Sequence, residues 1–175
     1  MKTFLIAVDL QKDFVNGALG TKEAEEMIPR AARKIREFSG EILLTMDTHG
    51  EDYLKTREGR FLPVVHCVKG TPGWELDGRI RAALEGKQVT VVEKNTFGSV
   101  KLPEILKEKT KGEAFSAEFF GLCTDICVVS NALLVKAAFP EAEISADGTC
   151  SAGVTPEKHR AALETMRSCQ IEVKE

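Results

Sequence analysis

Short apolar runs alternate along the chain with longer segments in which apolar residues recur at helical spacing. The alternation repeats about six times, and it predicts strands that alternate with helices. Because strands joined by a helix usually run parallel, we expect an α/β fold of three layers, α-β-α, around an open, mostly parallel sheet of six strands. The predicted strands are residues 3–8, 41–46, 88–92, 114–120, 142–146 and 170–173.

The segments between these strands carry start and stop signals for helices. Thr21 is suited to cap a first helical piece. Pro29 fits the first turn of a second helix, where its missing N–H costs little. A long loop is expected over residues 50–73, and further helices are predicted over residues 75–84, 102–109, 130–138 and 157–169.

Size, charge and cysteine usage restrict the class of protein. With 175 residues, of which 43% are apolar and 29% charged, the chain is expected to form one domain over residues 1–175. The net charge of −3 argues against nucleic acid or an anionic membrane as a partner. The N-terminal apolar run ends at Asp9 without signal-peptide features, so we expect a cytoplasmic protein. The five cysteines have no disulfide spacing and are expected to be reduced thiols.

The segment of residues 121–129 predicts a tight turn between a strand and a helix whose first turn contains Cys127. A thiol at the start of a helix lies near unpaired N–H groups and the positive end of the helix dipole. Its pKa is therefore expected to fall towards the thiolate form, and the same N–H groups could hold an oxyanion. The alternative is that Cys127 is a small buried apolar residue, as most free cysteines are.

Three further polar residues follow predicted strands, namely Asp9, Asp47 and Lys94. The carboxyl ends of parallel strands share one edge of the sheet, so these side chains should face one crevice together with Cys127. A cysteine beside an acid and an amine can carry out nucleophilic acyl transfer. Asp9 would accept the thiol proton, and Lys94 would stabilise the thiolate and keep Asp9 ionised.

Two of the three histidines suggest a metal site. Asp47 and His49 are two residues apart, so in an extended segment both point the same way. His66 and Glu58 could join them from the long loop. Two imidazoles and two carboxylates suit Zn²⁺, Fe²⁺ or Mn²⁺. Surface histidines without any ligand are the alternative.

The chain resembles the nicotinamidase/pyrazinamidase group of the isochorismatase-like cysteine hydrolases. The motifs that carry the resemblance occur in the family's order over almost the full length. They are VDLQKDF at 8–14, DTH at 47–49, HCVKGTPG at 66–73, Lys94 after a strand, GLCTDICV at 121–128 and AGVTP at 152–156.

The resemblance implies hydrolysis of nicotinamide to nicotinate and ammonia through a thioester acyl-enzyme. The catalytic triad would be Asp9, Lys94 and Cys127. One divalent transition metal, with Zn²⁺ expected first and Fe²⁺ or Mn²⁺ as alternatives, would orient the pyridine ring. The small-molecule amide is the predicted partner, and a homo-oligomer is expected.

The resemblance also implies roles for other residues around the site. Asp47, His49 and His66 would bind the metal, with Glu58 as the candidate fourth ligand. Backbone N–H groups of Cys123 and Cys127 would hold the oxyanion beside a cis peptide bond at Leu122–Cys123. The side chains expected to line the substrate pocket are Phe14, which would stack on the ring, Phe97 and Trp74.

The chain departs from the family pattern in two places. Residues 95–99 replace the usual Tyr-Ser-Ala-Phe, and Cys123 stands where Ala or Val is common, which leaves the choice of substrate open.

Three alternative functions are open. The first is a metal-free hydrolase of a carbamoyl amide or of isochorismate. The second is an inactive binding protein with the same fold, and the third is a thiol redox protein that uses Cys123 and Cys127.

Overall fold

The computed structural model describes residues 1–175 and contains one sheet of six strands, all of them parallel. The strand order is β3-β2-β1-β4-β5-β6, so the predicted three-layer α/β class is confirmed. The strands are β1 Lys2–Val8, β2 Glu41–Asp47, β3 Val89–Lys94, β4 Phe115–Gly121, β5 Glu143–Asp147 and β6 Glu172–Lys174.

Seven α-helices and three other helical turns connect the strands. The α-helices are α1 Lys12–Val15, α2 Lys22–Glu37, α3 Arg57–Phe61, α4 Gly78–Ala83, α5 Lys101–Thr110, α6 Val129–Ala138 and α7 Pro156–Ser168. The other turns are 3₁₀ turns at Tyr53–Lys55 and Gly148–Cys150 and a π-helical turn at Thr124–Val128. None of the helices combines the length and the apolar character that a membrane span requires.

The central strand β1 is buried on both faces, which explains why its sequence is a continuous apolar run. Leu5 and Ala7 pack in a core with residues of α2 and α4. Phe4 and Ile6 pack in a second core with residues of α5, α6 and α7. The two cores form the two helix–sheet interfaces of the three-layer fold.

The two helical pieces predicted around Pro29 are a single helix, α2, in which Pro29 is the eighth residue. Thr21 caps this helix as expected, and its Oγ1 accepts a hydrogen bond from Ala24 N at 3.1 Å. Pro29 lies on the exposed side, while Ile28 and Ile35 are buried on the other. Each such burial contributes roughly 1.5–3 kcal/mol. Burial along the whole inner face therefore offsets the ~3 kcal/mol that an interior proline costs.

The segment around the predicted loop and the helix after it also differs from expectation. The loop of residues 50–73 contains α3 and the turn at Tyr53–Lys55. The helix expected from residue 75 begins only at Gly78, after the cap Asp77. Backbone hydrogen bonds from Lys12 N to Glu75 O at 2.9 Å and from Asp77 N to Leu10 O at 3.0 Å hold this segment extended against residues 10–12.

Candidate active site

Neighbouring strands bring the predicted polar residues together at the carboxyl edge of the sheet. Asp47 at the end of β2 lies directly across from Lys94 at the end of β3. Asp9 follows β1, which is next to β2 on one side and β4 on the other. Cys127 lies in the turn after β4. The parallel order of the strands thus assembles one acid–amine–thiol group from four separate parts of the chain.

Lys94 contacts Asp9 and Cys127 in this group. Its Nζ lies 2.6 Å from Asp9 Oδ2 and 3.5 Å from Cys127 Sγ. Asp9 is fully buried, and Lys94 and Cys127 are buried as well. Lys94 is therefore no solvated surface lysine, and in this low-dielectric setting its charge acts strongly on both neighbours.

The charges of this group are strongly coupled. Burial raises the pKa of the Asp9 carboxyl, and the Lys94 ammonium only partly offsets this rise. Burial lowers the pKa of Lys94, but the negative charges of Asp9, Cys127 and Asp47 outweigh it and raise that pKa above its ordinary value. Asp9 Oδ1 accepts a hydrogen bond from Thr45 Oγ1 at 2.6 Å, which together with the ammonium suits an ionised carboxylate. A carboxylate whose pKa is raised is also a stronger base towards a nearby thiol.

The thiol itself does not follow the expectation from the sequence. Burial and the negative charge of Asp9 raise the pKa of Cys127 well above its ordinary value, against the lowering effect of Lys94. The first turn is π-helical, with Val128 N donating to Cys123 O at 3.1 Å, and Cys127 is only 4% exposed. The loss of water around the sulfur thus raises the pKa of Cys127 by more than the start of the helix lowers it. A raised pKa favours the protonated thiol, so the sulfur needs a base to become a nucleophile.

The turn before Cys127 is shaped by close backbone contacts. Gly121 has φ of 128°, and a Cβ there would lie 2.1 Å from Val8 O, so only glycine fits. The peptide bond Leu122–Cys123 is cis, as the resemblance implied. The Cys123 N–H donates no hydrogen bond within the chain, whereas Thr124 N donates to Ala152 O at 2.9 Å. A free N–H beside Cys127 is a candidate oxyanion donor.

Asp47, His49, His66 and Glu58 converge next to the triad. Asp47 Oδ2 lies 3.0 Å from His49 Nε2 and 3.4 Å from His66 Nε2. Glu58 Oε1 lies 3.7 Å from each of these nitrogens. Ligand atoms bound tetrahedrally at about 2.0–2.2 Å would lie roughly 3.3–3.6 Å apart. The spacing therefore fits a site of three ligands, Asp47, His49 and His66, with Glu58 next to both imidazoles.

The hydrogen bonds around the cluster favour a cation. His66 Nδ1 lies 2.7 Å from Val64 O; a carbonyl can only accept, so Nδ1 carries the proton. His66 Nε2 is the ring atom that faces the Asp47 carboxylate, so it donates a hydrogen bond when the ring is protonated and can bind a metal ion when the ring is neutral. Although burial raises it, hydrogen bonds from His49 and His66 hold the pKa of Asp47 well below its usual range. These residues form a candidate divalent-metal site.

A cavity of about 270 Å³ opens over Cys127 and the metal cluster. Its walls are mostly apolar, and the polar groups at one end are Asp47, Glu58 and His66. Phe14 and Phe97 line it, and the Phe14 ring meets His66 edge-on with centroids 5.5 Å apart.

Trp74 does not line the cavity, contrary to the expectation for the pocket. Its indole Nε1 donates to Thr48 Oγ1 at 3.0 Å, and Lys69 Nζ lies 5.9 Å from the ring centroid. These contacts hold the ring behind the end of β2. Its backbone oxygen accepts a hydrogen bond from Gln11 Nε2 at 2.8 Å, so Trp74 supports the site from outside.

Comparison with known proteins decides the family. The family model described as the isochorismatase domain matches residues 3–174. The chain belongs to the isochorismatase family. Among its relatives is the Bacillus subtilis (strain 168) uncharacterized isochorismatase family protein PncA, which is 34% identical over 146 residues, or 76% of this chain and 78% of the relative.

Solved structures of family members have the same fold over the whole chain. The nicotinamidase/pyrazinamidase PncA from Bacillus subtilis superposes with a TM-score of 0.80 at 28% identity and covers 100% of both chains. The pyrazinamidase of Pyrococcus horikoshii in complex with zinc gives a TM-score of 0.76 at 28% identity and covers 99% of this chain and 98% of that one. These matches indicate that this isochorismatase-family chain is a hydrolase that acts on amides.

Three supporting residues were not singled out from the sequence. Thr45 donates to Asp9, as described above. The Gln11 side chain hydrogen-bonds to both backbone groups of Asp47. Its Nε2 donates to Asp47 O and its Oε1 accepts from Asp47 N, both at 2.8 Å. His159, the third histidine, has Nδ1 2.8 Å from Thr124 Oγ1 in the Cys127 turn. A polar residue at a buried strand position was the one available signal, and it applied to Thr45 alone.

Proposed function

We propose that this protein hydrolyses nicotinamide to nicotinate and ammonia by covalent catalysis at Cys127. The observation that carries the proposal is the position of the Lys94 ammonium, 2.6 Å from the Asp9 carboxylate and 3.5 Å from the Cys127 sulfur. Cys127 lines a mostly apolar cavity beside the Asp47, His49 and His66 cluster. The naming of relatives at 28% identity as nicotinamidase/pyrazinamidase and pyrazinamidase supports the choice of substrate.

In the acylation half-reaction, Asp9 accepts the proton of the Cys127 thiol as the sulfur attacks the amide carbon. Lys94, which contacts both groups, stabilises the negative charge as it passes from Asp9 to the sulfur. The resulting oxyanion accepts hydrogen bonds from the backbone N–H groups of Cys123 and Cys127. When the C–N bond breaks, Asp9 gives its proton to the nitrogen, so ammonia leaves and a thioester remains.

In the deacylation half-reaction, Asp9 is again a carboxylate and can remove a proton from water. The water oxygen attacks the thioester carbon, and the same N–H groups hold the second oxyanion. Breakage of the C–S bond releases nicotinic acid, and the proton on Asp9 returns to the sulfur. The balance is one amide and one water consumed, with one acid and one ammonia produced and the thiol restored.

The residues that would hold a metal are Asp47, His49 and His66, with Glu58 as the fourth ligand. A divalent cation bound there supplies a Lewis acid for the pyridine nitrogen, which fixes the end of the ring remote from the carboxamide. Phe14, which meets His66 edge-on, would pack on the pyridine ring between its nitrogen and its carboxamide. The carboxamide carbon is then presented to Cys127 in attack geometry.

We expect purified protein to bind about one divalent transition metal per chain, and chelation to suppress ammonia release from nicotinamide. His49→Ala should lose metal and activity together, because His49 is buried and supplies one of the closely spaced nitrogens. Glu58→Ala should weaken metal binding less than His49→Ala does. The Glu58 oxygen lies farther from both imidazoles than the Asp47 oxygen does, and the Glu58 side chain is 21% exposed. Elemental analysis with a metal titration measures both.

His159 is a poor control because it contacts the Cys127 turn, so Asp52→Ala, in the same loop as Glu58, is preferred. Asp52 is exposed and lies outside the cluster, and the variant should keep its metal. Protein that holds no metal, and whose activity does not respond to added Zn²⁺, Fe²⁺ or Mn²⁺, would contradict the nicotinamidase proposal.

An ammonia-release assay across nicotinamide, pyrazinamide and carbamoyl amides tests the substrate. We expect the two ring amides to be hydrolysed and the carbamoyl amides to be poor substrates, because only the ring amides offer a ring nitrogen to the metal site. Preference for a carbamoyl amide, independent of metal, would instead favour the metal-free hydrolase.

A further inference from the structure

Asn131 connects two parts of the site through one buried amide. It lies on α6, four residues after Cys127, and its side chain is fully buried. Its Nδ2 donates to Cys127 O at 2.8 Å and to Phe97 O at 3.1 Å. Its Oδ1 accepts from Ser99 N at 2.9 Å. Both amide protons and one oxygen lone pair are therefore used.

The partners of Asn131 belong to the turn that carries Cys127 and to the loop that follows Lys94. We call residues 95–100 the Phe97 loop. This loop lies directly on α6, since a Cβ on Gly98 would be 2.6 Å from Leu134 Cδ1 and 3.2 Å from Ser130 C. The amide of Asn131 supplies the polar links in this contact. No other side chain makes hydrogen bonds to both segments.

The two linked segments hold groups whose separation matters for the chemistry. Lys94 directly precedes the loop, and its Nζ lies 3.5 Å from Cys127 Sγ. Phe97 lines the cavity although it is 48% exposed. A shift of about 1 Å between reacting groups can cost on the order of 10²-fold in rate. A buried link between the segments is thus well placed to control that separation.

We propose that Asn131 is a positioning residue. It clamps the Cys127 turn to the Phe97 loop by hydrogen bonds and so fixes the distances between Cys127, Lys94 and Phe97. The proposal rests on the proposed function of Cys127 as the nucleophile.

Three variants separate the links. Asn131→Leu keeps approximate size and removes every hydrogen bond. Asn131→Asp keeps an acceptor for Ser99 N and removes the amide donors to the two carbonyls. Asn131→Thr can still donate to the carbonyl of Cys127, four residues earlier, but it loses the hydrogen bonds to the Phe97 loop. Ile35→Ala is the matched control, because it removes buried volume on α2 against the other face of the sheet.

Hydrogen exchange tests the clamp without any substrate. In Asn131→Leu, peptides that cover residues 95–100 and 123–129 should exchange faster than in the wild type, whereas Ile35→Ala should leave their relative protection unchanged. Asn131→Thr should expose the loop and spare the Cys127 turn. Wild-type protection of both segments in Asn131→Leu would overturn the clamp.

Ammonia release from nicotinamide tests the functional part. We expect kcat to fall about 10-fold or more in Asn131→Leu and Asn131→Asp, with a smaller change in KM and partial recovery in Asn131→Thr. A kcat loss no greater than that of Ile35→Ala would overturn the positioning role. If the wild type releases no ammonia, the proposed function fails, while the exchange comparison still decides whether the clamp exists.

Discussion

Cys127→Ala is expected to reduce ammonia release from nicotinamide to background, a loss of roughly 10⁴-fold or more in kcat. In the proposed mechanism the Cys127 sulfur forms the acyl-enzyme, because it lies 3.5 Å from Lys94 Nζ and close enough to Asp9 for the carboxylate charge to raise its pKa. Cys127→Ser, which preserves the shape of the site, should also be severely impaired. Steady-state assays together with intact-mass analysis of a trapped acyl-enzyme measure the effect.

Two other cysteines provide matched controls for this substitution. Cys150 is buried near the end of β5, and Cys169 is exposed after α7. Neither lines the cavity, so Cys150→Ala and Cys169→Ala should retain most of the activity. Near-normal turnover by Cys127→Ala would rule out the covalent mechanism. A Cys123–Cys127 disulfide in the protein as isolated would favour the thiol redox alternative.

Asp9→Asn is expected to lower kcat by roughly 10²-fold or more, because general acid–base groups contribute on that scale. Asparagine preserves the shape and can still accept from Thr45, but it cannot take the thiol proton or return it to ammonia. The thiol of Cys127, whose pKa is raised by burial, would then lack the base that it needs. The measurement is kcat and KM for nicotinamide, made on protein whose thermal unfolding shows that it is folded.

The control for Asp9→Asn is another buried carboxylate in an ion pair. Asp147 contacts Lys34 at 2.7 Å and lies outside the cavity. Asp147→Asn should reduce stability and leave kcat within a few-fold of the wild type. A loss confined to KM in Asp9→Asn would mean that Asp9 binds the substrate and does not transfer protons.

Local pattern was sufficient for most of the fold. Apolar runs such as that of β1 are long enough for a strand and too short for a helix, and the longest helix had a clear cap in Thr21. The mistakes arose where long-range contacts changed local preference. Pro29 is tolerated inside α2 because the opposite side of the helix is buried. Residues 75–77 stay extended because they pair with residues 10–12, which are distant in the sequence.

The predicted site residues mostly came together because strand order is a strong constraint on position. Asp9, Asp47 and Lys94 each follow a parallel strand, and this alone places them at one edge. Local pattern could mark Thr45 as a buried polar residue, but it could not show which residues the supporting side chains contact. Thr45 and Asn131 are buried polar residues whose hydrogen bonds reach across 36 residues to Asp9 and 34 residues to Phe97. Trp74 was expected in the pocket and lies behind it, because its indole N–H is satisfied by Thr48.

The sequence by itself determined the alternation of strands and helices, the edge at which the polar residues meet, and the chemistry those residue types can perform. Only the tertiary structure decided the state of the thiol, the supports of the triad and the lining of the cavity. The physical reason is that periodicity and caps depend on neighbours in the chain. The pKa of Cys127 depends instead on the exclusion of water and on charges brought from β1 and β3, which exist only after the layers have packed.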